Sequence, residues 1–546
     1  MAEHWYQNAL IYCLDVKTFA DGNGDGIGDF VGLREKLSYL AGLNIDCVWL
    51  QPFFPSPMRD NGYDITDYYN VDPRFGTLGD FVEFARSARN KGLRVMIDLV
   101  VNHTSIDHPW FQAARSDPHS PFRDYYVWSD TKPEDAAEGT VFPGEQNTTW
   151  TWDREAKAYY FHRFYDHQAE LNIANPAVRR EIEKITGYWL QLGVTGFRID
   201  ALPFLIELKN LPTEGQADPH DYLRELRQHA QTLCGDVCLM AEANLPPEDV
   251  PDYFGHGDKI HMSFNFWLNQ HLFLALARQN ARPVREAWEQ LPPLPEGCQW
   301  NNFLRSHDEA DFGRLTPPQL QEVFRAFGPD PDMQLYDRGI RRRLAPMLGN
   351  DRRHMELAYS LQFSLRGTPV LRYGEEIGMG EDLSLDGRDA IRTPMQWSYA
   401  DNAGFSTAEP EKLVRPVIDK GEYGYQNVNV TAQRKDPRSL LGWFERMIRT
   451  LREAPETGSG STTHIDVPMP PGVLAHRADG RTGTMVFLHN IGTEDVEVDL
   501  NTLAPEADLP IDVLSDRNYE DVGKLDRLKL GGYGYRWIRL CRGHER

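Results

Sequence analysis

The chain has 546 residues, 41% of them hydrophobic and 25% charged, which is enough apolar material for a large packed core and unlike a disordered chain. Lys and Arg total 58 against 81 Asp and Glu, a formal charge of -23 that serves solubility and argues against nucleic acid or an anionic membrane surface as partner. No run approaches the roughly 20 apolar residues of a membrane span, the amino terminus has no basic region followed by an apolar run, and the six cysteines at 13, 47, 234, 238, 298 and 541 are too scattered for a disulfide framework, so the expectation is a cytoplasmic protein with reduced thiols.

Up to about residue 375, short apolar runs alternate with segments of helical periodicity. The runs cover residues 10–16, 46–50, 94–102, 196–200, 237–242, 260–266, 302–307 and 368–373, and amphipathic stretches such as 81–91 and 178–192 are long enough for crossover helices. Eight such strands predict an α/β fold with a closed (β/α)8 TIM barrel rather than an open doubly wound sheet. The barrel is expected over 1–102 and 176–455, with an inserted subdomain at 103–175 after strand three and a second insertion at 309–350. Residues 455–461 read as a linker or surface loop, and the alternating pattern of 460–546 predicts a C-terminal antiparallel β-sandwich.

In the first loop, Asp21, Asn23, Asp25, Ile27 and Asp29 alternate with glycines, placing oxygen donors as in a calcium loop. Gly32 stands where an EF-hand closes with Glu, so this is not an EF-hand, and a Gly-rich turn with solvated acids is the other reading.

The ends of the strands are the informative places, because barrel active sites are built there. Strand three runs out in Asp98-Leu99-Val100-Val101-Asn102-His103, strand four in Phe197-Arg198-Ile199-Asp200, strand five in Met240-Ala241-Glu242 and strand seven in Ser306-His307-Asp308. Singly, each has a structural reading: a helix cap, a hydrogen-bonded histidine or a buried ion pair. Several carboxylates converging on one rim are unfavourable unless used, and they fit a retaining glycosidase, with one carboxylate as nucleophile and one as acid/base. Arg198, two residues before Asp200 on the same strand face, can hold that nucleophile ionised.

These segments, with Gly196-Phe197-Arg198-Ile199-Asp200, Ala241-Glu242-Ala243-Asn244 and Arg305-Ser306-His307-Asp308, resemble the four ordered motifs of the α-amylase family of glycoside hydrolases. Within it the chain resembles the trehalose synthases, which rearrange maltose into trehalose, through residues 61–69, 339–353 and 391–397. The resemblance implies Asp200 as nucleophile, Glu242 as acid/base and Asp308 as transition-state stabiliser. It also implies Tyr63, Asp64, His103, Arg198, His307 and Arg392 as binders of a terminal glucose, with Tyr63 stacking on the sugar face. A second calcium is implied at Asn102, Glu170 and the turn Phe204, Leu205, Glu207. Ser306 stands where the family usually has Asn, Arg372 stands where the synthases carry Tyr, and 309–335 matches them poorly. The expected activity is isomerisation of maltose and trehalose by intramolecular glucosyl transfer through a glucosyl-Asp intermediate. A hydrolytic α-glucosidase or α-amylase using the same residues is the alternative, and a non-catalytic sugar-binding protein the third reading.

Overall fold

The computed structural model describes residues 4–207, 218–465, 467–481, 483–501, 508–519 and 525–542. Eight parallel strands close into a barrel: β1 (Ile11–Leu14), β2 (Cys47–Leu50), β3 (Arg94–Leu99), β4 (Gly196–Ile199), β5 (Cys238–Ala241), β6 (Met262–Phe264), β7 (Gln299–Asn302) and β8 (Thr368–Arg372), with β8 pairing back onto β1. Period-two alternation separates the two faces of each strand. Cys13, Trp49, Met96, Met240 and Met262 fill the barrel interior, while Val48, Val95, Ile97, Phe197 and Leu239 face the helices outside.

Those helices begin at local signals. Asp29 caps Phe30–Gly42 by accepting the Gly32 amide, Thr77 and Asp80 form a capping box at Leu78–Asn90, and Asn175 followed by Pro176 starts Pro176–Gln191. The seventh strand differs from expectation. It lies at Gln299–Asn302 rather than 302–307, and its polar side chains are buried with their amide nitrogens bonded inside the protein: Gln299 Nε2 donates to the Gly458 carbonyl at 2.7 Å and Asn302 Nδ2 to the Leu365 carbonyl at 2.8 Å. Residues 303–307 therefore form a loop above the strand, and this loop carries His307 and leads into Asp308.

Two excursions project from the carboxyl side of the barrel. Between β3 and β4, His103–Ser105 pairs antiparallel with Gln168–Glu170, and Trp128–Ser129, Trp150–Asp153 and Ala158–Phe161 form a three-stranded sheet. Between β7 and β8, Ala310–Asp311, Gln334–Leu335 and Gly339–Ile340 form a small sheet beside the helix Pro317–Phe327.

Residues 455–461 are not an exposed linker. Glu456 and Thr457 are buried, and Gly458 lies so close to the Gln7 carbonyl that a Cβ would meet its oxygen at 2.0 Å. Beyond it, five antiparallel strands, including Val473–Asp479, Thr484–Asn490 and Tyr535–Arg542, form a sheet, and a two-stranded ribbon of Val496–Val498 and Leu528–Leu530 covers it. Alternation again decides the packing: Leu474, Met485, Phe487 and Trp537 join the barrel core, while Val473, Val486 and Ile538 pack with the ribbon. Buried hydrogen bonds orient the junction, with Trp537 Nε1 donating to Ser360 Oγ at 2.9 Å and His489 Nε2 contacting the same hydroxyl at 2.9 Å.

Candidate active site

Parallel register places Asp98 of β3 opposite Arg198 of β4, both pointing into the top of the barrel. The Arg198 guanidinium is 1% exposed. Its Nη1 lies 2.9 Å from Asp98 Oδ1 and 2.6 Å from Asp200 Oδ1, and its Nη2 lies 2.8 Å from Glu242 Oε2. One cation thus gathers three carboxylates from three strand ends, and it cannot neutralise all of them. Burial, only partly opposed by Arg198, pushes Asp98 up to about 7, Asp200 up to about 6 and Glu242 up to about 7. Ala201, directly after Asp200, is held in the left-handed region at φ 48° and donates its amide to Glu242 Oε2 at 3.1 Å. Strain of this kind persists only where its surroundings enforce it.

Asp308 has the opposite environment. Burial favours its neutral form, yet Arg388 Nη1 and Arg392 Nη2, each 3.0 Å from Oδ1, hold the carboxyl well below the usual carboxylate range. His307 Nε2 lies 3.1 Å from Asp308 Oδ2 and 2.7 Å from the Tyr63 hydroxyl, which itself donates to Asp98 Oδ2 at 3.0 Å. Burial pushes His307 well below its ordinary value, so the ring is neutral, and these partners require the tautomer with hydrogen on Nε2.

These groups surround a cavity of about 280 Å³. Asp60, Tyr63, His103 and Phe164 line it together with Asp200 and Glu242, as do Asn244, Asp311, Arg314 and Arg338. Of the residues expected to bind sugar, Tyr63 and His103 face the cavity. Arg198, His307 and Arg392 are almost fully buried behind it, with their polar atoms on the carboxylates and on loop carbonyls. Asp64 does not line the cavity: its oxygens accept from Ser56 Oγ at 2.8 Å and from the amides of Arg59 and Asp60. Asp60 lines it instead, carried there by a turn in which Asn61 and Gly62 have φ of 53° and 104°. Both acids flank the same Asn-Gly-Tyr, and only those dihedrals show which one faces inward.

Contacts among segments from three directions partly roof the cavity. Arg338 Nη1 donates to the Val141 carbonyl at 2.7 Å, the hydroxyls of Tyr165 and Tyr336 are 3.2 Å apart, and the Phe142 ring lies 4.8 Å from that of Tyr336. The Arg388 guanidinium lies within 5.5 Å of both ring centroids while its Nη1 reaches Asp308.

The Asp21–Asp29 loop presents an all-oxygen donor set, the chemistry calcium takes. Asp21 accepts the amides of Asn23, Gly24 and Gly26 and the Ser406 hydroxyl, and Asp29 accepts those of Gly22, Asn23 and Gly32, so both carboxylates are engaged by protein donors. Among the described residues, no group of three or more His, Cys, Asp or Glu is gathered for a metal. At the residues expected to hold a second calcium, both acids have protein partners. Glu207 is paired at 2.5 Å with the Arg163 guanidinium, which supplies the positive charge there, Glu170 accepts the Arg163 amide at 2.8 Å, and Phe204 packs on Phe164.

Comparison with known proteins agrees with the site. The family model described as "Alpha amylase, catalytic domain" matches residues 13–320 and 339–459, and the C-terminal domain of sucrose hydrolase-like proteins matches 483–539. The chain belongs to the α-amylase family. It is 41% identical to a trehalose synthase from Pimelobacter sp. (strain R48), over 98% of this chain and 96% of that one, and 39% identical to a trehalose synthase/amylase from Mycolicibacterium smegmatis, over 98% and 93%. Among solved structures, the trehalulose synthase of Pseudomonas mesoacidophila MX-45 superposes with a TM-score of 0.79 at 25% identity, covering 99% of this chain and all of that one. The chain is thus an α-amylase family enzyme whose similarity to proteins named trehalose synthase spans nearly its whole length.

Proposed function

We propose that this enzyme isomerises maltose and trehalose by a retaining, intramolecular glucosyl transfer. The observation that carries the reading is the pairing of Asp200 and Glu242 on one guanidinium inside a small, roofed cavity. Two carboxylates held this close suit a retaining mechanism, and about 280 Å³ sits at the low end of small-molecule sites, too little for a polymer chain.

Asp200, ionised beside Arg198, attacks the anomeric carbon of the terminal glucose. The C1–O4 bond breaks, and Glu242, whose raised pKa keeps a proton available at neutral pH, gives it to the departing oxygen. The ring carries positive charge in the transition state, which Asp308, locked ionised by Arg388 and Arg392, stabilises. The released glucose turns under the roof. Its anomeric hydroxyl returns a proton to Glu242 and attacks the same carbon, expelling Asp200 and forming the 1,1 linkage of trehalose. Excluding water at this stage separates isomerisation from hydrolysis. Hydrolysis by the same residues is the second reading, favoured by the relative whose name joins synthase and amylase. Incubation with maltose and resolution of the products decides: trehalose supports the isomerase, and glucose alone overturns it.

Small α-glucosides such as maltose and trehalose are the proposed partners, supported by the cavity size. For the Asp21–Asp29 loop we propose structural calcium, supported by its oxygen donors. We place the enzyme in the cytoplasm, supported by six free cysteines; no helix of the described residues is long and apolar enough to cross a membrane.

A further inference from the structure

Arg372 ends β8 and is 1% exposed. A guanidinium removed from water usually carries a carboxylate partner, because desolvating an unpaired charge costs several kcal/mol. Among the described residues Arg372 has no such ion pair. It donates instead to two carbonyls, from Nη1 to Ser306 at 2.9 Å and from Nη2 to Ile391 at 2.6 Å, and packs over the Tyr373 ring. Burial, together with neighbouring Arg343, pushes it down to about 9, so the site holds this cation against a real opposing cost.

The identity of the two carbonyls gives that cost a purpose. Ser306 directly precedes His307-Asp308, and Ile391 directly precedes Arg392. His307 and Arg392 both contact Asp308, and Arg392 Nε also donates to the His307 carbonyl at 2.8 Å. The two loops come from different strands, and Arg372 is a rigid fork whose arms reach one of each. We infer that Arg372 is a positioning residue that fixes the His307-Asp308 loop against the Arg392 loop and so sets where the Asp308 carboxylate meets the reacting sugar. The role rests on the proposed retaining chemistry, not on whether the acceptor is glucose or water. Arg372 does not line the cavity.

The test uses Arg372→Met and Arg372→Lys in the full chain, with folding followed by circular dichroism and melting temperature. Turnover of α-D-glucosyl fluoride is the main readout, since it reports glycosyl transfer whether the product is trehalose or glucose. A displaced Asp308 lowers kcat by about 100-fold in Arg372→Met, the scale of losing one preorganised electrostatic contact, with KM changed by less than about threefold. Affinity for the cationic inhibitor 1-deoxynojirimycin falls while affinity for glucose holds. Arg372→Lys, which keeps the charge and reaches one carbonyl, recovers part of kcat. Folded Arg372→Met with kcat within threefold of the parent overturns the inference, as does a fall in melting temperature with unchanged kcat per folded molecule. Should Arg372→Met fail to fold, Arg372→Lys decides alone: reduced kcat with unchanged KM supports the role, and unchanged kcat overturns it. Failure of the parent to make trehalose from maltose leaves this test intact.

Discussion

The floor and the roof of the cavity are built by different means. The floor consists of strand ends whose register is fixed by barrel closure: Asp98 faces Arg198 because β3 and β4 pair in parallel, and Arg198 then places Asp200 and Glu242. The roof is made of two chain excursions meeting through one carbonyl bond, one hydroxyl pair and a ring contact, with Arg388 from the segment after β8 set against both rings. The difference teaches that the bond-breaking chemistry resides in the stiff element, while the fate of the intermediate, return to glucose or loss to water, is left to contacts that can be remodelled without disturbing the carboxylates.

Breaking the floor gives the largest effect. Asp200→Asn removes the nucleophile and lowers kcat on maltose by at least about 10⁴-fold, with the melting temperature unchanged or raised because a buried carboxylate held above its ordinary pKa is lost; steady-state kinetics and calorimetry check both. The pH profile comes next. Asp200 acts ionised, so the rate falls as pH drops below about 6, and Glu242 acts protonated, so the rate falls as pH rises above about 7. The two titrate as a coupled pair, so the alkaline limb seen with maltose disappears when the parent enzyme is given a glucosyl fluoride, whose leaving group needs no proton, and a limb that persists with that substrate sinks the assignment.

Loosening the roof sharpens the comparison. Tyr336→Ala removes the contacts with Tyr165 and Phe142. Total maltose consumption stays within about threefold while the ratio of glucose to trehalose rises about fivefold, because water reaches the intermediate more often; chromatography of the products measures it. An unchanged ratio removes the roof from the account. The smallest effect lies outside both regions: calcium at about 100 times its Kd raises the melting temperature by a few degrees through the Asp21–Asp29 loop, and Asp21→Ala cancels the shift. A shift that survives in Asp21→Ala contradicts that site.

The floor was legible in the sequence because strand-end polar residues are local patterns: Asp98, Arg198, Asp200 and Glu242 each stand beside the apolar run that positions them. The seventh strand was misplaced because Gln299, Asn301 and Asn302 are polar residues whose burial depends on partners far along the chain. That Asp60 lines the cavity, while Asp64 was expected to bind the sugar, is set by a positive-φ turn rather than by residue type. The roof was illegible for a stronger reason. Arg338 and Val141 are 197 residues apart, and no periodicity connects them. Arg388 likewise joins Asp308 to the Phe142 ring from a loop that carries no motif of its own.

The most direct test of a retaining transfer confined to one cavity is turnover of unlabelled maltose in the presence of ¹³C-glucose, with the trehalose analysed by mass spectrometry. The account predicts trehalose almost free of label, since the acceptor is the glucose released beneath the roof. Trehalose carrying label in proportion to the glucose in solution, or glucose as the only product, would contradict it.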